Sequence, residues 1–387
     1  MDLVNKMNET IKATKQNPII AFNQKIAAIP DMVSLTLGEP DFMTPEHIKQ
    51  AAIDAINNNE SHYTDMRGIE ALRKSVANFL HRKYNLNYDF ENEILITTGV
   101  SEGLHATLSA ILNPGDTVLL PAPLFSLYML DITMTGAKPV LIDTTDTDFK
   151  LTPDKLTKAI QDNQETVKAI ILNYPNNPTG VTYNRNELAK FAEIISKHEI
   201  FCISDEIYSE LTYDNSHVSM GELLPEQTIV LNGVSKAFAM TGYRIGIIAG
   251  PKNIIQKINI THTMSTASAN TVAQFASVDA FDNSDQDVID MKNEYQKRRD
   301  YLTTNLQKIG FESATPKGAF YLFIKIPKQF TQNSFEFAYE LATKAKIGTI
   351  PGAAFSEFGD GYLRISYAAS MEDLKLAVNR LKSFMKK

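Results

Sequence analysis

A lysine preceded by a hydroxyl and followed, a short step later, by an arginine between glycines stands in Ser235-Lys236-Ala237-Phe238-Ala239-Met240-Thr241-Gly242-Tyr243-Arg244-Ile245-Gly246. These residue types suit an aldehyde that carries a phosphate. The lysine amine can condense with the aldehyde as a Schiff base, while the serine hydroxyl and the planar guanidinium fork hold phosphate oxygens at the other end. Taken alone, a Ser-Lys pair followed by Gly-x-Arg fits a solvated turn beside a strand equally well. The neighbouring segments decide between the two.

Upstream, Ile200-Phe201-Cys202-Ile203-Ser204-Asp205-Glu206-Ile207-Tyr208 reads as a buried strand that ends in polar residues, the place where open α/β sheets carry their chemistry. An aspartate there can pair with a pyridinium nitrogen, which makes pyridoxal phosphate the candidate aldehyde. Earlier still, Val167 to Tyr174 is a second apolar strand that runs into Pro175-Asn176-Asn177-Pro178-Thr179-Gly180. That segment also reads as an ordinary strand-to-helix turn, since Asn, Pro and Gly are turn formers. A cis peptide is expected at Asn177-Pro178.

The elements that must position these groups follow from the apolar runs. Ile94 to Thr98, Thr117 to Pro121, Lys138 to Asp143, Val167 to Asn173, Phe201 to Ser204, Thr228 to Asn232 and Ile245 to Ala249 read as strands alternating with helical segments. This predicts an α/β fold, a mostly parallel seven-stranded sheet with helices on both faces. One predicted helix, Ser101 to Leu112, has a glycine-containing entry and Ser101 as its capping hydroxyl, and backbone amides there favour a phosphate. After about Phe281 the texture changes to a charged helix, Gln286 to Lys308, a strand from Gly318 to Ile324 and further α and β pieces, which together predict a smaller α+β domain.

The chain has 387 residues, 43% of them hydrophobic, enough for two packed lobes. Its net charge of −7 is spread without a long single-sign run, so no nucleic-acid footprint and no membrane-surface patch is indicated, and the expected partners are small molecules. The single cysteine, Cys202, rules out an internal disulfide and reads as a buried structural thiol. Met1 to Pro18 has no apolar core of the signal-peptide kind, and a cytoplasmic protein is expected. The seven histidines make no metal-ligand spacing, and neither Gly-x-Gly-x-x-Gly nor a Walker sequence occurs.

In this order the three segments resemble those of class I/II aminotransferases, the pyridoxal-phosphate enzymes of fold type I. The likeness covers essentially the whole chain. It includes Leu37-Gly38-Glu39-Pro40-Asp41-Phe42, Tyr63 through Arg73 with Gly68, Gly99-Val100-Ser101-Glu102-Gly103 and Arg364-Ile365-Ser366-Tyr367-Ala368. Within the family the chain is similar to bacterial enzymes of the aminotransferase A and N-acetyl-LL-diaminopimelate aminotransferase kinds. The resemblance implies a large cofactor-binding domain over residues 46–281, with residues 1–45 and 282–387 forming the small domain and its N-terminal arm.

It also implies roles. Lys236 would hold the cofactor and shuttle a proton at the substrate α-carbon. Asp205 would keep the pyridine nitrogen protonated, so that the ring accepts electrons. Tyr208 and Asn177 would face the ring oxygen, Ile207 one ring face and Phe125 the other. A plain core position is the alternative for Tyr208 and Phe125. Arg244, Ser235 and the backbone at Val100 and Ser101 would hold the phosphate, joined by Tyr63 from the second subunit of a homodimer. Tyr63 as an ordinary interface aromatic is the alternative. Arg364, at the head of a late strand, would take the substrate α-carboxylate with Asn177 and the backbone of Gly38.

The reaction implied is transfer of the amino group of an L-amino acid, N-acetyl-LL-diaminopimelate, aspartate or an aromatic amino acid, to a 2-oxo acid such as 2-oxoglutarate. A pyridoxal-phosphate C-S β-lyase shares the same residues. From other classes come a ligand-sensing regulator, for which no room is expected ahead of a fold that begins by Leu35, and a silent ligand-binding protein.

Overall fold

Alternate residues of the central apolar runs enter different cores, as a sheet covered on both faces requires. Val118 and Leu120 join one buried cluster with Ala169, Ile171 and Ile203, whereas Leu119 joins another with Ile170, Leu172 and Cys202. The structure, a computed structural model, describes residues 3–214 and 216–386.

The strands are β1 (Val33–Ser34), β2 (Ile94–Thr97), β3 (Thr117–Ala122), β4 (Lys138–Asp143), β5 (Val167–Asn173), β6 (Phe201–Asp205), β7 (Thr228–Gly233), β8 (Gly246–Ala249), β9 (Glu312–Ser313), β10 (Tyr321–Lys325), β11 (Ile347–Gly348), β12 (Ile350–Pro351) and β13 (Tyr362–Ser366). The seven-stranded sheet has the order β2-β8-β7-β6-β5-β3-β4. Strand β8 runs antiparallel to both β2 and β7, and the remaining pairs are parallel. Each of the seven strands lies within one residue of the bounds expected from sequence. A second, antiparallel sheet has the order β12-β13-β10-β9, and β1 pairs in parallel with β11. One hydrophobic core joins Phe22, Ile26, Val33 and Leu35 of the N-terminal segment to Phe337, Leu341, Leu363 and Leu374 near the other end.

The reversal of β8 has a consequence for the site. The carboxyl ends of β2, β5, β6 and β7 face one edge of the sheet, and because β8 is antiparallel its amino end, preceded by Arg244, lies at that same edge. Close approach there depends on two glycines. A Cβ on Gly246 would lie 2.4 Å from the carbonyl carbon of Gly99 and 2.6 Å from the amide nitrogen of Val100. Gly99 itself has φ +75°, a conformation side chains resist.

Three expectations need correction. The helix begins at Gly99 and ends at Ile111 instead of spanning Ser101 to Leu112; Thr98 is its N-cap residue, without a side-chain cap bond, and Ser101 lies exposed in the first turn. The strand expected from Gly318 starts at Tyr321, because Ala319 takes a left-handed φ of 55° that breaks the extended run. Arg364 is the third residue of β13, buried at 3% exposure, not the head of a strand. The long charged helix runs Asp285–Lys308, one residue longer than expected. Asn177-Pro178 is cis, as expected. Cys202 is buried, and burial pushes its thiol up to about 12, in keeping with an inert structural role. Among the described residues no helix is long and apolar enough to cross a membrane.

The contact between β8 and the helix head makes a stability prediction. Gly246→Ala should cost about 1–3 kcal/mol in urea unfolding, because backbone, not a flexible side chain, meets the new methyl. Gly242→Ala, whose Cβ meets nothing within 4 Å, should change stability little. Equal effects of the two substitutions would contradict the close packing.

Candidate active site

Loops after the strand ends enclose a cavity of about 300 Å³. Its lining holds Gly38, Val100, Ser101, Phe125, Asn177, Asp205, Ile207, Tyr208, Ser235, Lys236, Arg244 and Arg364, so every candidate site residue except Tyr63 meets in one place. Tyr63 stands outside it, 91% exposed, on the loop between helices Glu46–Asn57 and Glu70–Tyr84.

Lys236 lies in the short helix Val234–Ala237 that follows β7, and its Nζ donates to the Gly38 carbonyl at 2.7 Å. Burial lowers the amine to about 8; Arg244 and Arg364 push the same way, against the opposing charges of Glu39 and Asp205. A lysine in this state is partly neutral near physiological pH and can act as nucleophile and base.

Asp205 closes β6 on the floor of the cavity. Burial raises its carboxyl to about 6, although the Tyr128 hydroxyl donates to Oδ2 and the Ile207 amide donates to Oδ1 at 3.2 Å. At neutral pH it is therefore an ionised carboxylate in a dry setting, ready to pair with a protonated ring nitrogen.

Arg364 projects from β13 into the opposite wall. Its Nη1 donates to Asn177 Oδ1 at 3.0 Å and its Nη2 to the Thr36 carbonyl at 2.6 Å, while the buried Nε has no partner among the described residues. The guanidinium lies over the Tyr321 ring, 4.5 Å from its centroid, and near Phe355. The Gly38 carbonyl accepts from Lys236, and the backbone carbonyl to which Arg364 donates is that of Thr36. Tyr208 pairs through its hydroxyl with Tyr321, at 2.8 Å, and Asn177 Oδ1 is taken by Arg364.

The head of helix Gly99–Ile111 supplies a seat for an anion. The cap residue Thr98 offers no side-chain bond to the first-turn amides, and Arg244 lies so close that a Cβ on Gly99 would stand 2.4 Å from its Nη2. Backbone N–H groups, the helix dipole and a guanidinium converge there with Ser235. A reactive amine, a buried carboxylate and an anion seat around one cavity fit a phosphorylated pyridine aldehyde.

Sequence reasoning missed Thr36, Tyr128, Asn173 and Tyr321, which line the cavity together with Ile19, Asn23 and Leu37. Tyr321 lies within the run from Gly318 to Ile324 that reads as a strand and carried no further signal; Tyr128 carried none either, being one aromatic of an apolar helix. Among the described residues no cluster of His, Cys, Asp and Glu could hold a metal ion.

The pattern of the family "Aminotransferase class I and II" matches residues 30–381. A probable N-acetyl-LL-diaminopimelate aminotransferase of Bacillus subtilis is 41% identical over 98% of this chain and 96% of its own. An aspartate aminotransferase of Pyrococcus abyssi is 37% identical over 93% of each. Among solved structures, the aspartate aminotransferase of Thermus thermophilus with maleate superposes with a TM-score of 0.92 at 34% identity, covering 97% of this chain and 99% of that one. The chain belongs to the class I and II aminotransferases and has their fold type I. It is an enzyme of amino-group transfer, and the names of its relatives support that reaction over the lyase.

The state of Asp205 predicts a pH-dependent stability. Its folded value, about 6, lies above the unfolded value near 4, so stability tied to its proton is full below pH 4 and lost as pH rises through 6. Asp205→Asn carries no such proton. In thermal unfolding of cofactor-free protein, the variant should gain on the native protein between pH 4 and pH 7 by on the order of 2–3 kcal/mol. Parallel pH curves would refute the buried, raised carboxylate.

Proposed function

We propose that the cavity binds pyridoxal phosphate and that the enzyme uses it to move the amino group of an L-amino acid to a 2-oxo acid such as 2-oxoglutarate. The observation that carries this is the meeting of Lys236, Asp205 and Arg364, from three distant parts of the chain, around one cavity with an anion seat. Arg244, Ser235 and the amides of Val100 and Ser101 would hold the phosphate, Ile207 and Phe125 the ring faces, and Tyr208 and Asn177 the ring hydroxyl. Bound there, the group supplies an aldehyde that carries the amino group and a ring that accepts electrons when the substrate loses its α-proton.

The chain's own residues do the rest. Arg364 binds the α-carboxylate as a fork and thereby orients the α-hydrogen. Lys236, lowered to about 8 by burial, takes that proton and holds it for return. Asp205 holds a proton on the ring nitrogen by its fixed charge, and Tyr128 fixes the carboxylate. Tyr321 ties Tyr208 to the wall that carries Arg364.

The division into a large domain, 46–281, and a small domain of 1–45 with 282–387 is supported by the pairing of β1 with β11 and by their shared core. A homodimer with Tyr63 reaching the second subunit's phosphate is supported by its exposure and by that of other apolar side chains such as Met43 and Met264. A cytoplasmic setting goes with these substrates. N-acetyl-LL-diaminopimelate, aspartate and aromatic amino acids, the substrates in the relatives' names, are the donors to compare.

The visible spectrum tests the reading. A band present in the purified protein should bleach when a competent donor is added without an acceptor, with one equivalent of 2-oxo acid released, and should return with 2-oxoglutarate. Lys236→Ala should abolish turnover. Arg364→Lys should raise KM and lower kcat/KM about tenfold or more, because a point charge cannot replace the fork. A protein that takes up no pyridoxal phosphate on reconstitution would refute the proposal.

A further inference from the structure

One buried cation lies behind the anion seat and takes no part in the chemistry above. His262, on helix Lys252–Thr266, is 0% exposed. Its Nδ1 is 3.0 and 3.1 Å from the two carboxylate oxygens of Glu102, and its Nε2 is 2.9 Å from the Met66 carbonyl. A carbonyl only accepts, so Nε2 carries a hydrogen. Nδ1 faces both Glu102 oxygens at nearly equal distance while Oε2 also accepts the Thr98 amide at 3.1 Å, the arrangement of an Nδ1 hydrogen donated to the carboxylate. The ring is an imidazolium. Burial pushes it toward neutrality, and the bond to Glu102, that residue's charge and the Met66 carbonyl outweigh burial to hold its pKa above the usual histidine value.

Its position gives this cation a task. Glu102 belongs to the first turn of helix Gly99–Ile111, directly after Ser101, so its carboxylate stands close to the helix head that would receive a phosphate. An uncompensated charge there repels the phosphate and competes for the first-turn amides. The Met66 carbonyl belongs to the loop that also carries Tyr63, whose neighbour Thr64 accepts from Gln274 at 3.0 Å.

We infer that His262 is a positioning residue for the cofactor phosphate: as an imidazolium it neutralises Glu102 and pins the head of helix Gly99–Ile111 and the Tyr63 loop to each other. The inference rests on the proposed binding of pyridoxal phosphate with its phosphate at that helix head.

The test compares dissociation constants of pyridoxal 5'-phosphate and of pyridoxal, which lacks the phosphate, measured by absorbance on cofactor-free protein. The native protein should prefer the phosphorylated form. His262→Gln should weaken pyridoxal 5'-phosphate about tenfold, the size of a buried charge-assisted hydrogen bond, and leave pyridoxal unchanged. Removing both charges, in Glu102→Gln with His262→Gln, should restore most of the preference, which a merely structural role would not do. That double variant and Glu102→Gln alone also carry the test if His262→Gln does not fold: both should keep the preference, and its loss overturns the inference. So does a His262→Gln protein that loses both ligands equally, or neither. A native protein that binds both ligands alike overturns the phosphate reading itself, and the inference with it.

Discussion

A lysine amine lowered to about 8 by burial is the constraint on which the rest of this structure depends. Lys236 cannot be both buried and reactive unless nearby charges balance, and the chain sets two guanidiniums, Arg244 and Arg364, against two carboxylates, Glu39 and Asp205. These groups come from four segments, and only the fold gives them a common wall. The sheet does so by ending β6 and β7 at one edge and by reversing β8, so that Arg244 precedes a strand yet faces the residues that follow others. Had β8 run parallel, its amino end and Arg244 would lie at the far edge of the sheet.

Strand β6 shows how a buried carboxylate is made either inert or useful. Asp205 and Glu206 are neighbours in sequence and both are buried. Glu206 accepts from Ser204 and Ser219 at 2.7 Å each and from Tyr174 at 3.2 Å, and it pairs with His217 at 2.9 Å, which satisfies its oxygens within the protein. Asp205 turns toward the cavity with fewer partners, and burial raises it to about 6. Alternation along an extended backbone sends the two side chains to opposite sides. One carboxylate then cross-links three segments, while the other keeps capacity for a ligand.

Much of this was legible in the sequence, for a physical reason. Buried parallel strands are unbroken apolar runs, so the seven strands of the main sheet could be read to within a residue, and their polar ends pointed to Asp205, Asn177 and Lys236. What escaped was of two kinds. Some groups act across long separations as residues of core type: Tyr128 meets Asp205 from 77 positions away, and Thr36 meets Arg364 from 328, through a backbone carbonyl that any residue provides. Others depend on local geometry that propensity does not encode. Ser101 has the chemistry of a cap, yet the helix starts earlier, because Gly99 adopts a positive φ and Glu102 folds back to the Thr98 amide.

That last substitution of one cap for another explains why the head of the helix needs support from elsewhere. A hydroxyl cap is neutral and leaves an anion seat untouched, whereas a carboxylate in the first turn satisfies the Thr98 amide at the cost of placing a like charge beside the ligand. Such a choice is compatible with anion binding when a cation is held against the carboxylate. His262 is that cation, 160 residues distant in sequence and fully buried, so that solvent cannot screen it. Its second bond, to the Met66 carbonyl, makes the same charge organise the loop that bears Tyr63. The glycine at 99, the carboxylate at 102 and the histidine at 262 are thus one device, and altering any one of them changes what the other two must do.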